Sequence, residues 1–329
     1  MSLEPKLTQL PKTAKIYVSG HLGMVGSAIV RQLSACGYKN ILTKTHTELD
    51  LLDQRAVLMF MQLEQPDYIF CAAAKVGGIV ANNRYRAEFI YQNIMIQANI
   101  IHSAYLSNVQ RLLFLGSSCV YPRDCPQPIR EEYLLTSQLE ATNEPYALAK
   151  ISGIKMCEAY NAQYGTQYVS VMPTNLYGPY DNYDLQNSHV LPALLRKTHE
   201  AIMQGDKTIN VWGSGKPMRE FLHVSDMADA CVFLMESNVG NGIFNIGTGS
   251  DISIKNLVNI IMKTVGYRGT VVFDTSKPDG TPRKWLDVSR MAELGWLAKV
   301  SLEAGIKATY HDYVKQVTEH SNKDRKSVV

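Results

Sequence analysis

Ile16-Tyr17-Val18-Ser19-Gly20-His21-Leu22-Gly23-Met24-Val25-Gly26 (IYVSGHLGMVG, residues 16–26) decides the fold. A short β-branched and aromatic run predicts a strand over Ile16–Ser19, and Met24–Ala35 carries the apolar spacing of a helix. Gly20 and Gly23 lie between the two, and Gly26 falls in the first turn of the helix. Gly20 permits a tight turn, Gly23 lets backbone approach a pyrophosphate, and Gly26 allows close packing of helix on strand. The helix N-terminus then faces the anion. A glycine pattern in this strand–turn–helix setting predicts a dinucleotide site.

Outward from that turn, apolar runs alternate with helical patterns. Residues 41–45, 68–72, 112–116 and 169–172 read as strands, and 85–107 reads as a long helix. Pro145 opens another helix, which ends near Tyr164-Gly165. This alternation predicts a Rossmann-like, doubly wound parallel α/β sheet with helices on both faces. After about Pro173 turn residues thicken, as in WGSGKPMRE and KPDGTPRK. Residues 15–173 are therefore expected to form the dinucleotide-binding domain. Residues 174–318 are expected to form a smaller substrate lobe, partly interleaved with the sheet. Residues 1–14 and 319–329 read as loose ends.

Composition excludes several classes. Lys+Arg 33 against Asp+Glu 30 leaves a net charge of +3, too small an asymmetry for a nucleic-acid partner. No stretch approaches the ~20 apolar residues of a membrane helix, and the first residues lack a signal peptide's apolar core. Six cysteines without a CxxC pair indicate neither a disulfide framework nor a metal site, which fits a reducing, cytoplasmic setting.

Tyr146 and Lys150 stand four residues apart on the helix opened by Pro145, so phenol and ammonium share a face. A neighbouring cation is expected to lower the phenol's pKa and fit it to give a proton to a carbonyl oxygen. The strand 112–116 runs into Ser117-Ser118-Cys119. Continued extension would point Ser117 and Cys119 to one side, with the serine hydroxyl sharing the carbonyl hydrogen bond. Where the second strand ends, an acid would hold the 2′-hydroxyl of NAD. Lys44, Thr45 and His46 come first and Glu48 late, which favours the 2′-phosphate of NADP.

Glycine turn, serine and YxxxK, in this order on these elements, resemble the extended short-chain dehydrogenase/reductase superfamily. AAAKVGGIVANN (72–83), LFLGSSCVYP (113–122), NEPYALAKISGIK (143–155), VMPTNLYGPYDN (171–182), NSHVLPALLRK (187–197), WGSGKPMREFLHV (212–224) and KPDGTPRK (277–284) are similar, more narrowly, to the GDP-L-fucose synthase family. The likeness runs from about Lys15 to about Tyr313. It implies a bifunctional enzyme that epimerises C3 and C5 of GDP-4-keto-6-deoxymannose and then reduces C4 with NADPH.

By that resemblance Cys119 and His189 transfer the protons of epimerisation, and Ser117, Tyr146 and Lys150 serve the reduction. NADP(H) would lie against residues 20–26 (Gly20, His21, Leu22, Gly23, Met24, Val25, Gly26), Lys44, His46, Leu49, Asp50, Leu51 and Leu52. Its nicotinamide end would meet Leu115, Gly116, Ser117, Ser118, Tyr146, Lys150, Pro173, Thr174, Asn175, Leu176 and His189. The GDP-sugar would meet Asn175, Lys197, Trp212, Arg219 and Lys284. The family also implies a homodimer, built by packing residues 85–107 and 146–164 of each subunit into a four-helix bundle. This chain departs from bacterial relatives in carrying Leu22, His46 and Lys197 where they tend to carry arginine.

Blander readings exist for several of these residues. Cys36, Cys71, Cys157 and Cys231 read as core, Cys125 as a loop thiol, and His189 alone as a helix-start residue. A dehydratase would place an acid pair after the strand-end serine, whereas no carboxylate precedes Asp124 here. A simple 4-epimerase needs no Cys/His pair. A silent dinucleotide sensor would not need the intact tyrosine, lysine and cysteine.

Overall fold

The computed structural model describes residues 10–185, 188–277 and 279–326. Six parallel strands form the central sheet, in the spatial order Gly242–Ile246, Gln167–Pro173, Arg111–Leu115, Tyr68–Cys71, Ile16–Ser19, Ile41–Leu42. The chain starts in Ile16–Ser19, adds one strand on one side and the rest on the other. That reversal leaves a crevice at the carboxyl edge, where open α/β sheets hold ligands.

Strand periodicity distributes the core. Ile16, Val18, Phe70, Leu113, Leu115, Val169 and Val171 face a cluster shared with the helices Met24–Ala35 and Val224–Glu236. Tyr17, Ile69, Leu112, Phe114, Tyr168 and Met172 face the other way, onto the helices Gln54–Glu64, Arg86–Leu106 and Glu144–Tyr164. Both faces are covered, so these strands read as continuous apolar runs rather than alternating ones. Glu144–Tyr164 carries a proline in its first turn and stops at Gly165, whose φ of 69° is left-handed.

Beyond residue 174 a third cluster gathers Tyr177, Leu191, Leu195, Val211, Leu257, Ile261 and Ile306. Small sheets accompany it: Thr208–Trp212 beside Thr270–Asp274, and Met218–Arg219 between Ile252–Ser253 and Arg283–Lys284. The strand Gly242–Ile246 returns from this region to the main sheet and pairs with Gln167–Pro173.

Both ends differ from expectation within the described residues. Residues 1–9 lie outside them, but Leu10 and Ala14 of the expected leader are buried in the first core cluster with Tyr38. The expected loose end from residue 319 is helical backbone as far as Lys326, part of Leu302–Lys326, and 327–329 lie outside the description. The lysines, glutamate and arginine of that segment are competent helix formers, so polarity alone did not make it a coil. Among the described residues no helix is long and apolar enough to cross a membrane, and no three His, Cys, Asp or Glu side chains group as a metal site.

Candidate active site

The turn after the first strand is built as its glycines demand. Gly20 has φ of 73°, and a Cβ there would lie 2.8 Å from the Ala73 backbone. A Cβ on Gly26 would lie 2.1 Å from the Gly20 carbonyl oxygen. Side chains are thus excluded from the turn by backbone on both sides. The helix Met24–Ala35 begins at once, with Gly23 as N-cap and no side chain capping its free amides. This is a cradle of a shape and polarity that suits a pyrophosphate.

The cradle opens one end of a cleft of about 670 Å³, a size typical of small-molecule and cofactor sites. All the residues expected to hold the dinucleotide line it, from Gly20 through His46 and Leu52 to Leu176 and His189. At the far end of the second strand Lys44 and His46 face the cleft. Glu48 does not line it, because its carboxylate accepts from the backbone N–H and hydroxyl of Thr45, each at 2.7 Å. A positive side chain and an imidazole without that acid fit a 2′-phosphate better than a bare ribose.

The loops lining the cleft are tied from the helix Arg86–Leu106 by buried amides. Asn93 accepts from the Lys75 backbone N–H at 2.9 Å and donates to the Lys75 carbonyl at 3.0 Å. Asn99 donates to the carbonyls of Leu51 and Leu52, at 2.9 and 3.2 Å. Lys75 itself lines the cleft and pairs with Glu88. Lys75, Gln92 and Ile96 are cleft residues that sequence reasoning missed. AAAKVGG was recognisable as a motif, but nothing in it indicated the direction of Lys75.

Ser117, Cys119, Tyr146, Lys150 and His189 converge on the same cleft, together with Asn175 and Lys284. Two details differ from expectation. The strand ends at Leu115, and Ser118–Val120 is a 3₁₀ turn, so Ser117 and Cys119 do not share an extended strand face. Ser117 caps the turn by accepting from the Cys119 amide at 3.2 Å, and the turn itself presents both side chains to the cleft.

Secondly, Lys150 is not poised to acidify the phenol in the free protein. Burial pushes the Tyr146 phenol upward, the Cys119 thiol adds to this, and a hydrogen bond with Ser117 opposes it. The Lys150 ammonium lies 5.9 Å from the Tyr146 ring centre and donates to the Leu115 carbonyl at 2.7 Å. Its own pKa is pulled down to about 8 by burial, with Cys71 opposing. Shared helical spacing brings the two together, but burial is the main cause of the shift in each.

Cys119 has a neighbour from far along the chain. The Lys284 ammonium donates to its Sγ at 3.6 Å. Much of the His189 surface opens onto the cleft, yet the enclosing protein holds its pKa below the usual imidazole range and Lys284 lowers it further. A thiol, an imidazole kept neutral and an ammonium on one cleft are the parts needed to move protons next to a ketone.

Lys197, Trp212 and Arg219 do not line this cleft. Lys197 sits 5.4 Å from the exposed Trp212 ring. Arg219 pairs in register with Lys284, one strand over, and donates to its neighbour Met218's carbonyl at 2.8 Å rather than to Glu220. All six cysteines are free thiols; Cys71, Cys157 and Cys231 are buried, while Cys36 is half-buried.

Known proteins resemble this chain over most of its length. Residues 16–247 match the model of the NAD dependent epimerase/dehydratase family. GDP-L-fucose synthase of Escherichia coli (strain K12) is 56% identical over 310 residues, covering 92% of this chain and 97% of the relative. Among solved structures, a GDP-L-fucose synthetase from Naegleria fowleri bound to NADP matches with a TM-score of 0.88, at 28% identity over 96% of this chain and 97% of that one. A GDP-mannoheptose C4 reductase from Campylobacter jejuni with NADP bound matches with a TM-score of 0.84, at 39% identity over 92% of this chain and 99% of that one. The chain belongs to the NAD dependent epimerase/dehydratase family and, within it, to the GDP-L-fucose synthase family.

Proposed function

We propose that this chain converts GDP-4-keto-6-deoxymannose to GDP-L-fucose, epimerising C3 and C5 and then reducing C4 in a single cleft. The observation that carries this reading is the grouping of Cys119, Lys284 and His189 with Ser117, Tyr146 and Lys150 beside one glycine cradle. A C4 ketone acidifies the hydrogens on C3 and C5, and inverting each centre needs a base on one face and an acid on the other. Cys119 and His189 are the exchanging pair. The Lys284 ammonium favours the negative charge that develops as a proton leaves carbon.

NADPH, when bound, supplies the hydride for C4. Gly20, Gly23 and Gly26 with the first turn of Met24–Ala35 would cradle its pyrophosphate, and Lys44 and His46 its 2′-phosphate. Tyr146 gives its proton to the C4 oxygen. Ser117 shares that oxygen's hydrogen bond, and the Lys150 ammonium nearby offsets the charge of the phenolate left behind. The high phenol pKa keeps Tyr146 protonated until the oxygen turns basic.

Residues 15–173 serve in this account as the cofactor domain and 174–318 as the substrate lobe. In that lobe Lys197, Trp212 and Arg219 take up the GDP moiety beyond the cleft, where lysine and arginine suit a diphosphate and the indole a flat ring. Two chains pair through Arg86–Leu106 and Glu144–Tyr164, whose exposed Tyr91, Leu106, Leu148 and Tyr164 would be covered. Sedimentation at micromolar concentration should give a dimer, and a monomer would refute the pairing. Six free thiols suit the cytoplasm.

A plain C4 reductase is the second reading, favoured by the likeness to the Campylobacter jejuni enzyme. The test supplies GDP-4-keto-6-deoxymannose and NADPH and identifies the sugar by NMR. GDP-L-fucose is expected. An unepimerised 6-deoxy sugar would establish the plain reductase, and no oxidation of NADPH or NADH would refute both.

A further inference from the structure

A buried carboxylate lies behind the reacting groups. Glu220 is 0% exposed. One of its carboxylate oxygens accepts from the backbone N–H groups of Thr248 and Gly249, at 2.7 and 2.8 Å, and the other accepts from the N–H of Leu286 at 3.0 Å. Its backbone carbonyl accepts from the Asn175 amide at 2.8 Å and the Thr174 hydroxyl at 3.2 Å. Among the described residues no lysine or arginine forms an ion pair with it. Gly247 leaves room for it, since a Cβ there would fall 2.3 Å from a carboxylate oxygen.

Three backbone donors need an acceptor in this place, and that alone accounts for a polar side chain. What they belong to matters more. Leu286 follows Lys284 by two residues, and Lys284 is paired in register with Arg219, the residue before Glu220. Glu220 therefore clamps the backbone that carries the ammonium onto Cys119, and its backbone carbonyl holds the amide of Asn175, which also lines the cleft. Lysine is a long, flexible point charge, so the placing of its ammonium depends on how firmly its backbone is held.

We infer that Glu220 is a positioning residue which, through the Leu286 amide, holds Lys284 against Cys119 and beside His189 and so sets how completely substrate is epimerised before C4 is reduced. The second half of this inference rests on the epimerase/reductase reading; the first half does not. Glu220→Gln is the selective variant. Its amide has one acceptor oxygen, which is retained best against the two donors of Thr248 and Gly249. The NH₂ then faces the Leu286 N–H, donor against donor, and releases the Lys284 segment.

The first readout needs no substrate. NMR titration of His189 in the free protein should move to higher pH in Glu220→Gln and in Lys284→Met, because the Lys284 ammonium lowers that imidazole. Glu220→Gln on the Lys284→Met background should add nothing further. The second readout is the fraction of C4-reduced sugar left uninverted at C3 or C5, expected to rise ~3-fold or more in Glu220→Gln. Glu220→Asp, which keeps the charge but falls short of Leu286, is expected to shift both readouts the same way and serves if the amide variant does not fold. An unmoved His189 titration, or equal loss of epimerisation and reduction, would overturn the inference. A moved titration in a protein that turns over no GDP-ketosugar would uphold the clamp and sink the reaction assigned to it.

Discussion

Replacing Lys150 by methionine removes an ammonium that is 3% exposed and has the Leu115 carbonyl, at 2.7 Å, as its hydrogen-bond acceptor. Burial brings its pKa from 10.5 to about 8, with Cys71 weakly opposing. At pH 7 the lysine is charged in both the folded and the unfolded chain, and that lowering corresponds to roughly 3 kcal/mol of desolvation borne by the fold. Methionine fills similar volume but leaves the Leu115 carbonyl unpartnered, a loss of ~1 kcal/mol. The variant should therefore be more stable than the parent by ~2 kcal/mol, or about 3 °C in a chain of this size.

The sign with pH follows from the direction of the shift. Between about pH 8 and 10.5 the unfolded chain still holds the proton that the folded chain has released, so the parent gains stability relative to the variant as pH rises. Thermal unfolding followed by circular dichroism, without cofactor, should show the variant ahead at pH 7 and the gap closing towards pH 10.5. C4 reduction should fall by ~100-fold or more, since the charge beside Tyr146 is gone. A variant that melts at or below the parent at pH 7, or a gap that does not narrow, would refute the electrostatic argument.

Tyr146→Phe should lower C4 reduction by ~10²–10⁴-fold while solvent deuterium still enters C3 and C5, measured by NMR of the sugar. Cys119→Ser should abolish that exchange, and normal exchange would remove Cys119 from the proton-transfer pair. Gly26→Ala puts a methyl group 2.1 Å from the Gly20 carbonyl oxygen, so NADPH affinity by fluorescence titration should drop at least ~10-fold.

Local grammar carried most of the fold. Glycines at 20, 23 and 26 across a strand–helix junction, Pro145 at a helix start and Gly165 at its end are each recognisable from their immediate neighbours in the sequence. Of the residues lining the cleft, the glycine turn and Lys44 and His46 were legible locally, and the others came with the family resemblance. Interactions across long stretches of chain were not. Lys284 meets Cys119 over a separation of 165 residues, and no local pattern announces that meeting. The return of Gly242–Ile246 to the sheet was foreseeable only as a general interleaving. Lys150 shows a different limit, because spacing placed it beside Tyr146 while burial and the Leu115 carbonyl decided its charge and direction. At the end of the chain, polar composition suggested a loose tail from residue 319, where the backbone of the helix Leu302–Lys326 continues.

The most direct test of the central claim, that one cleft performs both epimerisation and reduction, is a single turnover experiment in deuterated water. The parent protein is given GDP-4-keto-6-deoxymannose and ordinary NADPH, and the product sugar is examined position by position by NMR. The account predicts GDP-L-fucose with deuterium at C3 and C5 and protium at C4. A C4-reduced sugar carrying protium at C3 and C5, with both centres uninverted, would contradict it.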